Sequence, residues 1–466
     1  MTGMLNERMD RMRFVKKTFC AIAVLANVGL FGTVTASAVK HEKRCMRIAV
    51  MSDNQIRPDS HNWARYTLVR TLEMLKPMGV DLVLNAGDIS DFDDIPTVRW
   101  YERLCREMLG VAQFAVPGNH DIWLRKGSGR TYDQVIGEFY SVFGQPSGHV
   151  NRRTINGYDF VAIATREKLD EDSGEVPYYE AEVAELETVL KQCARRDSER
   201  PIFVLSHYHP EGTVLGASAK YGRRLRKVLD KFPQVISLSG HTHCPLANER
   251  LIWQGTFTAI NTSTLHYGCY LGNKVNTVNG ILPLARESVG FMVMDVFPDR
   301  VEVRRYNADD GKELTPPSKR WVISVPYNPS KPVYGENRRC AVPQFAPGAE
   351  MLSRYDYGFI HFLFDPAQGA DGVEGYRLEI SGKNADGSHC PPKSWYYVSD
   401  FYRLERFRGG RVNLRAPAFS LESGKSYRIC VYPHNWFGEE GRPLTLDMTV
   451  SQGYSFRNVN ETYPQE

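Results

Sequence analysis

The chain contains acidic, amide and imidazole side chains of the types that bind divalent metal ions in hydrolytic enzymes. Each of them follows or lies close to an apolar run, which predicts a position near the end of a strand. The set comprises Asp53, Gln55, Asp88, Asn119, His120, His207, His241 and His243. Carboxylates supply negative charge and can bridge two ions, whereas neutral imidazoles bind first-row transition metals well. Together such residues could hold metal ions that activate water.

An alternation of predicted strands and helices positions these side chains. Apolar runs such as "RIAVMS", "VDLVLNAGD" and "PIFVLSH" are typical of buried strands, and "EAEVAELETVLKQCARR" has apolar residues at helical spacing. The alternation indicates an α/β layer architecture. Since sites in such sheets form at the carboxyl ends of strands, we expect the set to share one edge. Taken singly, each member could instead be a turn or helix-cap residue.

Five of the segments that carry these residues form a recognisable series. "SDNQ", "NAGDISD", "PGNHD", "LSHYHP" and "SGHTH" occur in this order at predicted strand ends. They resemble the motifs of the calcineurin-like metallophosphoesterases, over about Met46–Tyr306. The resemblance implies an α/β fold, a metallophosphoesterase-type β-sandwich flanked by helices over residues 45–310. It also implies two divalent metal ions as cofactors, with Mn, Fe or Zn as candidates, and a phosphate mono- or diester as substrate.

The resemblance gives each matching residue a role in metal binding. Asp88 is expected to bridge the two ions, which lie roughly 3.5–4 Å apart in such sites and activate a bridging water. The first ion is expected to bind Asp53, Gln55 and His243, and the second Asn119, His207 and His241. His120 is expected to be the general acid for the leaving oxygen, and Asp91 matches the position that orients such a histidine.

Gln55 departs from the pattern, because many members of this family carry His there. A carboxamide oxygen is a weaker and harder ligand than imidazole, so the change predicts lower affinity at the first site and a shift away from zinc. It is also consistent with a degenerate site that no longer turns over. The alternative function is then a catalytically weakened fold that acts as a cell-surface or periplasmic binding or adhesion protein.

Three further residues are candidates for contact with the substrate phosphate. His209 in "HYHP" and His61 in "PDSHNW" are expected near the same edge, although each could also be a structural or surface histidine. Arg125 lies in a loop with Lys126 and Arg130. These cations could bind an anionic substrate, or they could be solvated loop charges.

The C-terminal part of the chain has a different pattern. A Pro-rich segment over residues 311–340 is expected to be a linker with terminal strands, and short strands without helices follow over 341–454, before a tail at 455–466. "LESGKSYRICVYPHNWFGEEGRPL" resembles the tyrosine corner of a fibronectin type III module, with Tyr427 as the corner tyrosine. The pattern predicts a smaller all-β immunoglobulin/fibronectin-like sandwich, and such a module could bind a protein or glycan partner. Trp395 and Trp436 are expected to be packing residues rather than a sugar platform.

Composition and the N-terminus bear on the partners and on localisation. The formal net charge is +4, with 24% charged residues and no concentrated basic patch, which argues against a nucleic-acid partner. Residues 1–38 combine a basic start, an apolar run and a small-residue end, as a cleavable signal peptide does. This predicts a periplasmic, secreted or cell-surface protein, with an uncleaved membrane anchor as the alternative. The cysteines have no spacing that predicts a disulfide framework or a zinc site.

Overall fold

The computed structural model describes residues 43–58, 63–124, 129–165, 178–272, 274–314, 319–356, 358–383, 386–418, 421–422 and 424–450, and only the backbone at 219–220. It confirms the predicted fold class, because an α/β domain built on two sheets is followed by a smaller all-β domain. The predicted signal peptide at 1–38 and tail at 455–466 lie outside the described residues. Within the described part of the chain, no helix is long and apolar enough to span a bilayer.

Strands and helices alternate in the first domain, and the described part of the second domain is built mainly of strands. The strands are β1 (Met46–Met51), β2 (Leu82–Asn85), β3 (Ala112–Ala115), β4 (Val150–Ile155), β5 (Tyr158–Ile163), β6 (Ile202–Ser206), β7 (Val235–Ser239), β8 (Ile252–Gln254), β9 (Thr258–Asn261), β10 (Gly290–Val296), β11 (Arg300–Asn307), β12 (Trp321–Ser324), β13 (Met351–Asp356), β14 (Phe359–Phe364), β15 (Gly375–Gly382), β16 (Lys393–Val398), β17 (Val412–Pro417), β18 (Ser426–His434) and β19 (Leu444–Thr449). The α-helices are α1 (Trp63–Leu75), α2 (Ile95–Leu109), α3 (Tyr132–Val142), α4 (Glu180–Arg196) and α5 (Ala219–Leu229).

Two six-stranded sheets form the first domain, with strand orders β12-β11-β10-β1-β2-β3 and β4-β5-β6-β7-β9-β8. One apolar core contains side chains from both sheets, among them Ile48, Leu84, Phe160 and Phe203. The rings of Phe160 and Phe203 stack with their centroids 5.1 Å apart. A strand that is covered on both faces needs apolar residues at successive positions, which explains why runs such as "RIAVM" do not alternate with polar residues.

Helices cover the outer face of each sheet. Apolar side chains of α1, α2 and α3 share a core with the first sheet, and those of α4 and α5 share one with the second. The sequence pattern did not predict α3. Its start is fixed by a reciprocal pair of hydrogen bonds, in which Gln134 N–H donates to Thr131 Oγ1 at 3.3 Å and Thr131 N–H donates to Gln134 Oε1 at 2.9 Å.

Parallel pairing brings the ends of several strands to one edge. β1, β2 and β3 run parallel in the first sheet, and β5, β6, β7 and β9 run parallel in the second. The carboxyl ends of β1, β2, β3, β6 and β7 lead into the segments that carry the predicted ligands. Both sheets therefore contribute residues to the same edge of the domain.

The C-terminal domain is a sandwich of a three-stranded and a four-stranded sheet, β13-β14-β17 and β16-β15-β18-β19. The Tyr427 hydroxyl accepts a hydrogen bond from the Glu422 backbone N–H at 2.7 Å, the bond that defines a tyrosine corner. The segment at 311–340 contains β12, which pairs with β11 and completes the first sheet of the α/β domain.

The C-terminal domain packs against residues 270–287 of the first domain. The Asn276 carboxamide makes two hydrogen bonds to the backbone of Val398, at 2.7 and 2.9 Å. Trp436 is buried in an apolar cluster with Tyr270 and Phe401 from the two domains. Trp436 is therefore a packing residue at the domain interface, and the C-terminal domain supports a loop that begins next to the predicted metal ligands.

Candidate metal centre

The first group of predicted ligands forms around Asp53, directly after β1. Both carboxylate oxygens of Asp53 accept from the His241 backbone N–H at 3.0 Å, which ties the end of β1 to the loop after β7. Asp53 Oδ1 also lies 3.1 Å from His243 Nε2. Asp53 is fully buried and His243 is nearly so. The predicted first metal position is thus formed by one residue that follows a strand of each sheet.

Asp88 occupies the middle of the site, as expected for a bridging carboxylate. Its Oδ1 accepts from the His120 backbone N–H at 2.8 Å, and its Oδ2 lies 3.3 Å from His207 Nε2. One ligand atom each from Asp53, Asp88 and His207 lie within 4.8 Å of one another, and all three residues are buried. Asp88 therefore faces the predicted ligands of both ions.

The second group of predicted ligands joins Asn119, after β3, to His241, after β7. Asn119 Oδ1 lies 3.2 Å from His241 Nδ1. The rings of His207 and His241 are 5.3 Å apart, centroid to centroid. Two ligand atoms on one ion are about 2.8–3.6 Å apart when their bonds are about 2.0–2.2 Å long and meet at about 90–110°. The separation between Asn119 Oδ1 and His241 Nδ1 falls in this range.

Two imidazoles are held so that a nitrogen lone pair faces a carboxylate. His207 Nδ1–H donates to the Ala86 carbonyl at 2.9 Å, and His243 Nδ1–H donates to the Tyr267 carbonyl at 3.0 Å. In a neutral ring, Nε2 then points its lone pair at Asp88 or Asp53. That arrangement is repulsive unless a cation lies between the two groups. Ligand histidines in metal sites are fixed by such carbonyl bonds, so these residues fit a metal ion.

Without a metal ion, protons must compensate for these close carboxylates. Burial lowers the pKa of His207, but the charge of Asp88 and its hydrogen bond raise it to about 9. Burial raises the pKa of Asp88, yet His207 and His120 hold it well below its ordinary value. The buried Nε2 of His207 lies 3.3 Å from Asp88 Oδ2. The proton that His207 holds there in the metal-free protein lies where a divalent ion would bind.

The backbone is strained at the ligands themselves. Among the described residues nine non-glycine residues have positive φ, and five of them are predicted metal ligands, namely Asp53 (51°), Gln55 (43°), Asp88 (56°), His241 (72°) and His243 (53°). Such conformations cost on the order of 1–3 kcal/mol each and persist where the surroundings impose them, often at functional sites. The folding energy of the rest of the domain thus holds the ligand set in place.

Close backbone approach at Gly118 is needed to seat Asp88. A Cβ atom at Gly118 would overlap Asp88 Oδ1 and lie 2.5 Å from the Asp88 backbone nitrogen. We expect Gly118→Ala to displace Asp88 and to lower both metal content and any phosphoesterase rate at least tenfold, since small misplacements at a reacting centre are costly. Metal analysis and a rate assay on the purified variant measure this.

Gly137→Ala is the matched control, because Gly137 lies within α3 and a Cβ there would meet only Ser147 Cβ at 3.7 Å. The control should keep its metal content and gain up to about 1 kcal/mol of stability. Equal metal content and rate in Gly118→Ala and the wild type would contradict the assigned position of Asp88.

His120 and Asp91 lie together beside the metal ligands. His120 Nδ1 is 3.1 Å from Asp91 Oδ1 and 3.1 Å from the Asp91 carbonyl, and Nε2 is 4.0 Å from Asp88 Oδ2. Burial lowers the pKa of His120, but the Asp91 hydrogen bond and the charge of Asp88 raise it to about 9. His120 thus holds a proton at neutral pH, and its Nε2 faces the centre. Arg57 Nε in turn donates to Asp91 Oδ2.

Asp121 is a structural carboxylate of the site that the sequence analysis did not assign. It accepts hydrogen bonds from the backbone N–H groups of Ile89, Ser90 and Gly118, at 3.2, 2.8 and 2.9 Å. Burial and the nearby charge of Asp88 raise the pKa of Asp121 to about 6. It joins the loops after β2 and β3, and its place at the end of the "GNHD" motif was the available signal.

Gln55 has an unexpected neighbour. Its Oε1 lies 2.9 Å from Nδ1 of His266, in the segment that follows β9. Gln55 is 2% exposed and lies in the same turn as Asp53. No motif marks His266 in the sequence, although it follows a strand end as the other ligands do.

The residues that were predicted to contact the substrate phosphate differ in where the structure places them. His209 is buried, with Nδ1 hydrogen-bonded to Ser239 Oγ at 2.6 Å and Nε2 to Thr242 Oγ1 at 3.1 Å. Because both ring nitrogens have protein partners, His209 supports the "GHTH" loop instead of facing a substrate. Arg130 makes two bonds to Asp93, at 2.7 and 2.8 Å. His61, Arg125 and Lys126 lie outside the described residues.

One comparison with known proteins covers the region that contains this site. Residues 46–245 match the family model for calcineurin-like phosphoesterases, and the match includes every predicted metal ligand from Asp53 to His243. This part of the chain is therefore a calcineurin-like phosphoesterase domain. A comparison with curated proteins finds no match.

Several solved structures are similar to parts of the chain. GAP50, the anchor in the inner membrane complex of Plasmodium, is 13% identical with a TM-score of 0.39, covering 62% of this chain and 91% of that one. Purple acid phosphatase PPD1 from yellow lupin seeds is 14% identical with a TM-score of 0.38, covering 57% and 52%. The third fibronectin III domain of human KIAA0343 is 18% identical with a TM-score of 0.20, covering 26% and 93%.

Proposed function

We propose that the chain is a phosphoesterase that uses two divalent metal ions to hydrolyse phosphate mono- or diesters. The observation that carries this proposal is the buried cluster of Asp53, Asp88 and His207, together with the Nε2 atoms of His207 and His243 directed at the carboxylates. Asp53, Gln55 and His243 would hold one ion, Asn119, His207 and His241 the other, and Asp88 both. When bound, the ions would supply Lewis acidity at the phosphoryl group and activate the attacking water.

The residues of the chain have separate tasks in this proposal. The water oxygen forms a bond to phosphorus while the bond from phosphorus to the leaving oxygen breaks. His120 donates the Nε2 proton to that leaving oxygen, as a general acid does. Asp91 binds the opposite ring nitrogen, keeps Nε2 directed at the centre and stabilises the protonated ring. Asp121 holds the two loops that carry Asp88 and His120 in register.

Export and partner binding complete the proposal. The N-terminal pattern at residues 1–38 supports export to the periplasm, the cell surface or the medium. The fibronectin-like C-terminal domain supports a protein or glycan partner, which would bind away from the face that packs on residues 270–287.

Removal and return of metal ions tests the proposed reaction. Protein treated with a chelator should lose hydrolysis of an aryl phosphate monoester and of a bis-aryl phosphate diester. Added Mn, Fe or Zn should restore it, and the relative rates on the two esters should identify the preferred class. Both rates can be measured on the same preparation of protein, so their ratio does not depend on the protein concentration.

A protein with full rates after exhaustive chelation would contradict the proposal. Absence of hydrolysis with every metal and both esters would favour the alternative, a weakened fold that acts as a binding or adhesion protein.

A further inference from the structure

One short segment after β9 contacts Asp53, Gln55 and His243, three predicted ligands of the first metal ion. Leu265 N–H donates to the carbonyls of Ser52 at 3.1 Å and Asp53 at 3.3 Å, and Thr264 Oγ1 donates to the Asp53 carbonyl at 3.0 Å. The carbonyl of Tyr267 accepts from His243 Nδ1–H at 3.0 Å. Residues 264–267 therefore line the side of the site that is predicted to bind the first metal ion.

His266 is the member of this segment that reaches Gln55. Its backbone N–H donates to Thr264 Oγ1 at 2.9 Å, which fixes its main chain, and its ring Nδ1 lies 2.9 Å from Gln55 Oε1. With the carboxamide oxygen placed beside the ring, Nδ1 is the nitrogen that carries the proton and donates to it. The oxygen has two acceptor sites, and one of them stays open after this bond.

A carboxamide poses a problem that imidazole and carboxylate ligands do not pose. One end of the group is an oxygen that can bind a cation, and the other is an NH₂ group whose donors repel it. A rotation of Gln55 about its last side-chain bond exchanges the two ends. A fixed donor beside the oxygen prevents this exchange, because the NH₂ group cannot accept from His266 Nδ1–H.

We propose that His266 is a positioning residue for the first metal ion and that it acts through Gln55. Its hydrogen bond holds the carboxamide with the oxygen available as a ligand, which compensates for the glutamine at position 55. The inference rests on the metal centre of the proposed function and adds a residue outside the matched region 46–245. Partners of this kind typically change metal affinity by 10–100-fold when they are removed.

A double-mutant cycle tests this role without any substrate. Calorimetric titration of the metal-free protein with Mn²⁺ gives the affinities of both sites in the wild type, His266→Ala, Gln55→Ala and the double variant. His266→Ala should weaken one of the two sites by about 10–100-fold. In the Gln55→Ala background the same change should have no further effect, because the residue acts through Gln55.

His361→Ala is the control, since His361 is a histidine of the C-terminal domain that bonds Asn413 at 3.0 Å. Circular dichroism of each variant confirms folding. Unchanged Mn²⁺ affinity in a folded His266→Ala variant would overturn the inference, and so would an equal loss with and without Gln55. A wild type that binds no Mn²⁺ would instead overturn the proposed function as well, so the two failures can be told apart.

Discussion

Replacing Asp88 by Asn is expected to lower kcat by about a thousandfold or more, on the order of 4 kcal/mol in the activation barrier. The carboxylate faces the ligands of both metal positions, through His207 Nε2 at 3.3 Å on one side and the shared Asp53 cluster on the other. The substitution keeps the shape of the side chain but removes its charge. Metal content should fall below two ions per chain in the same preparation.

The Asp88→Asn variant should still fold. In the metal-free protein, burial and the charge of Asp88 raise the pKa of Asp121 to about 6, so Asp88 and Asp121 oppose each other. Asp447→Asn is the matched control, because this side chain is 69% exposed on the C-terminal domain and pairs with Arg428. Asp88→Asn protein that retains wild-type turnover and metal content would contradict the bridging role.

Replacing His120 by Gln is expected to lower the rate by about 10²–10⁴-fold on an alkyl phosphate and much less on an aryl phosphate with a good leaving group. The alkyl oxygen needs a proton as its bond to phosphorus breaks, whereas an acidic phenol does not. His120 supplies that proton from Nε2 while Asp91 holds Nδ1 at 3.1 Å. Rates on a series of leaving groups measure the dependence.

Metal content separates this effect from loss of the metal centre. His120→Gln should bind as much metal as the wild type, because the backbone N–H that bonds Asp88 at 2.8 Å remains. Asp91→Asn should show the same leaving-group dependence with a smaller loss. An equal loss on alkyl and aryl esters would assign His120 to substrate binding or structure instead of proton transfer.

The candidate ligands could be located in the sequence because each of them follows the end of a strand, with two of them after β1 and two after β7. Buried strands are apolar throughout, so the first polar residues after them stand out, as Asp53 does after β1 and His207 after β6. Parallel pairing then places these ends at one edge. The C-terminal sandwich was predicted on different grounds, from short strand-like runs without helices between them.

The contacts between loops could not be predicted from the sequence. His207 and His209 are two residues apart, yet His207 directs Nε2 at Asp88 while His209 is bonded at both nitrogens to the loop after β7 and its strand. His266 meets Gln55 only because the chain turns at Ser263, where φ is 65°, and runs back alongside Asp53. Positive φ values at these turns depend on the packed structure around them.

The contact between residues 270–287 and the C-terminal domain also could not be predicted from the sequence. This region has no motif, but it contacts the C-terminal domain and follows closely on Tyr267, whose carbonyl accepts from His243 Nδ1–H. The fibronectin-like domain is therefore connected to the site by one continuous stretch of chain. Sequence patterns describe each domain separately and say little about such an interface.

Elemental analysis of the purified protein, paired with a phosphoester assay on the same sample, decides whether the chain is a two-metal phosphoesterase. We expect close to two divalent transition metal ions per chain, together with turnover of a phosphate mono- or diester. One ion per chain, with activity restored by excess Mn²⁺, would fit a first site weakened by Gln55 and would keep the claim. Protein without bound metal and without hydrolysis under any added metal would contradict it.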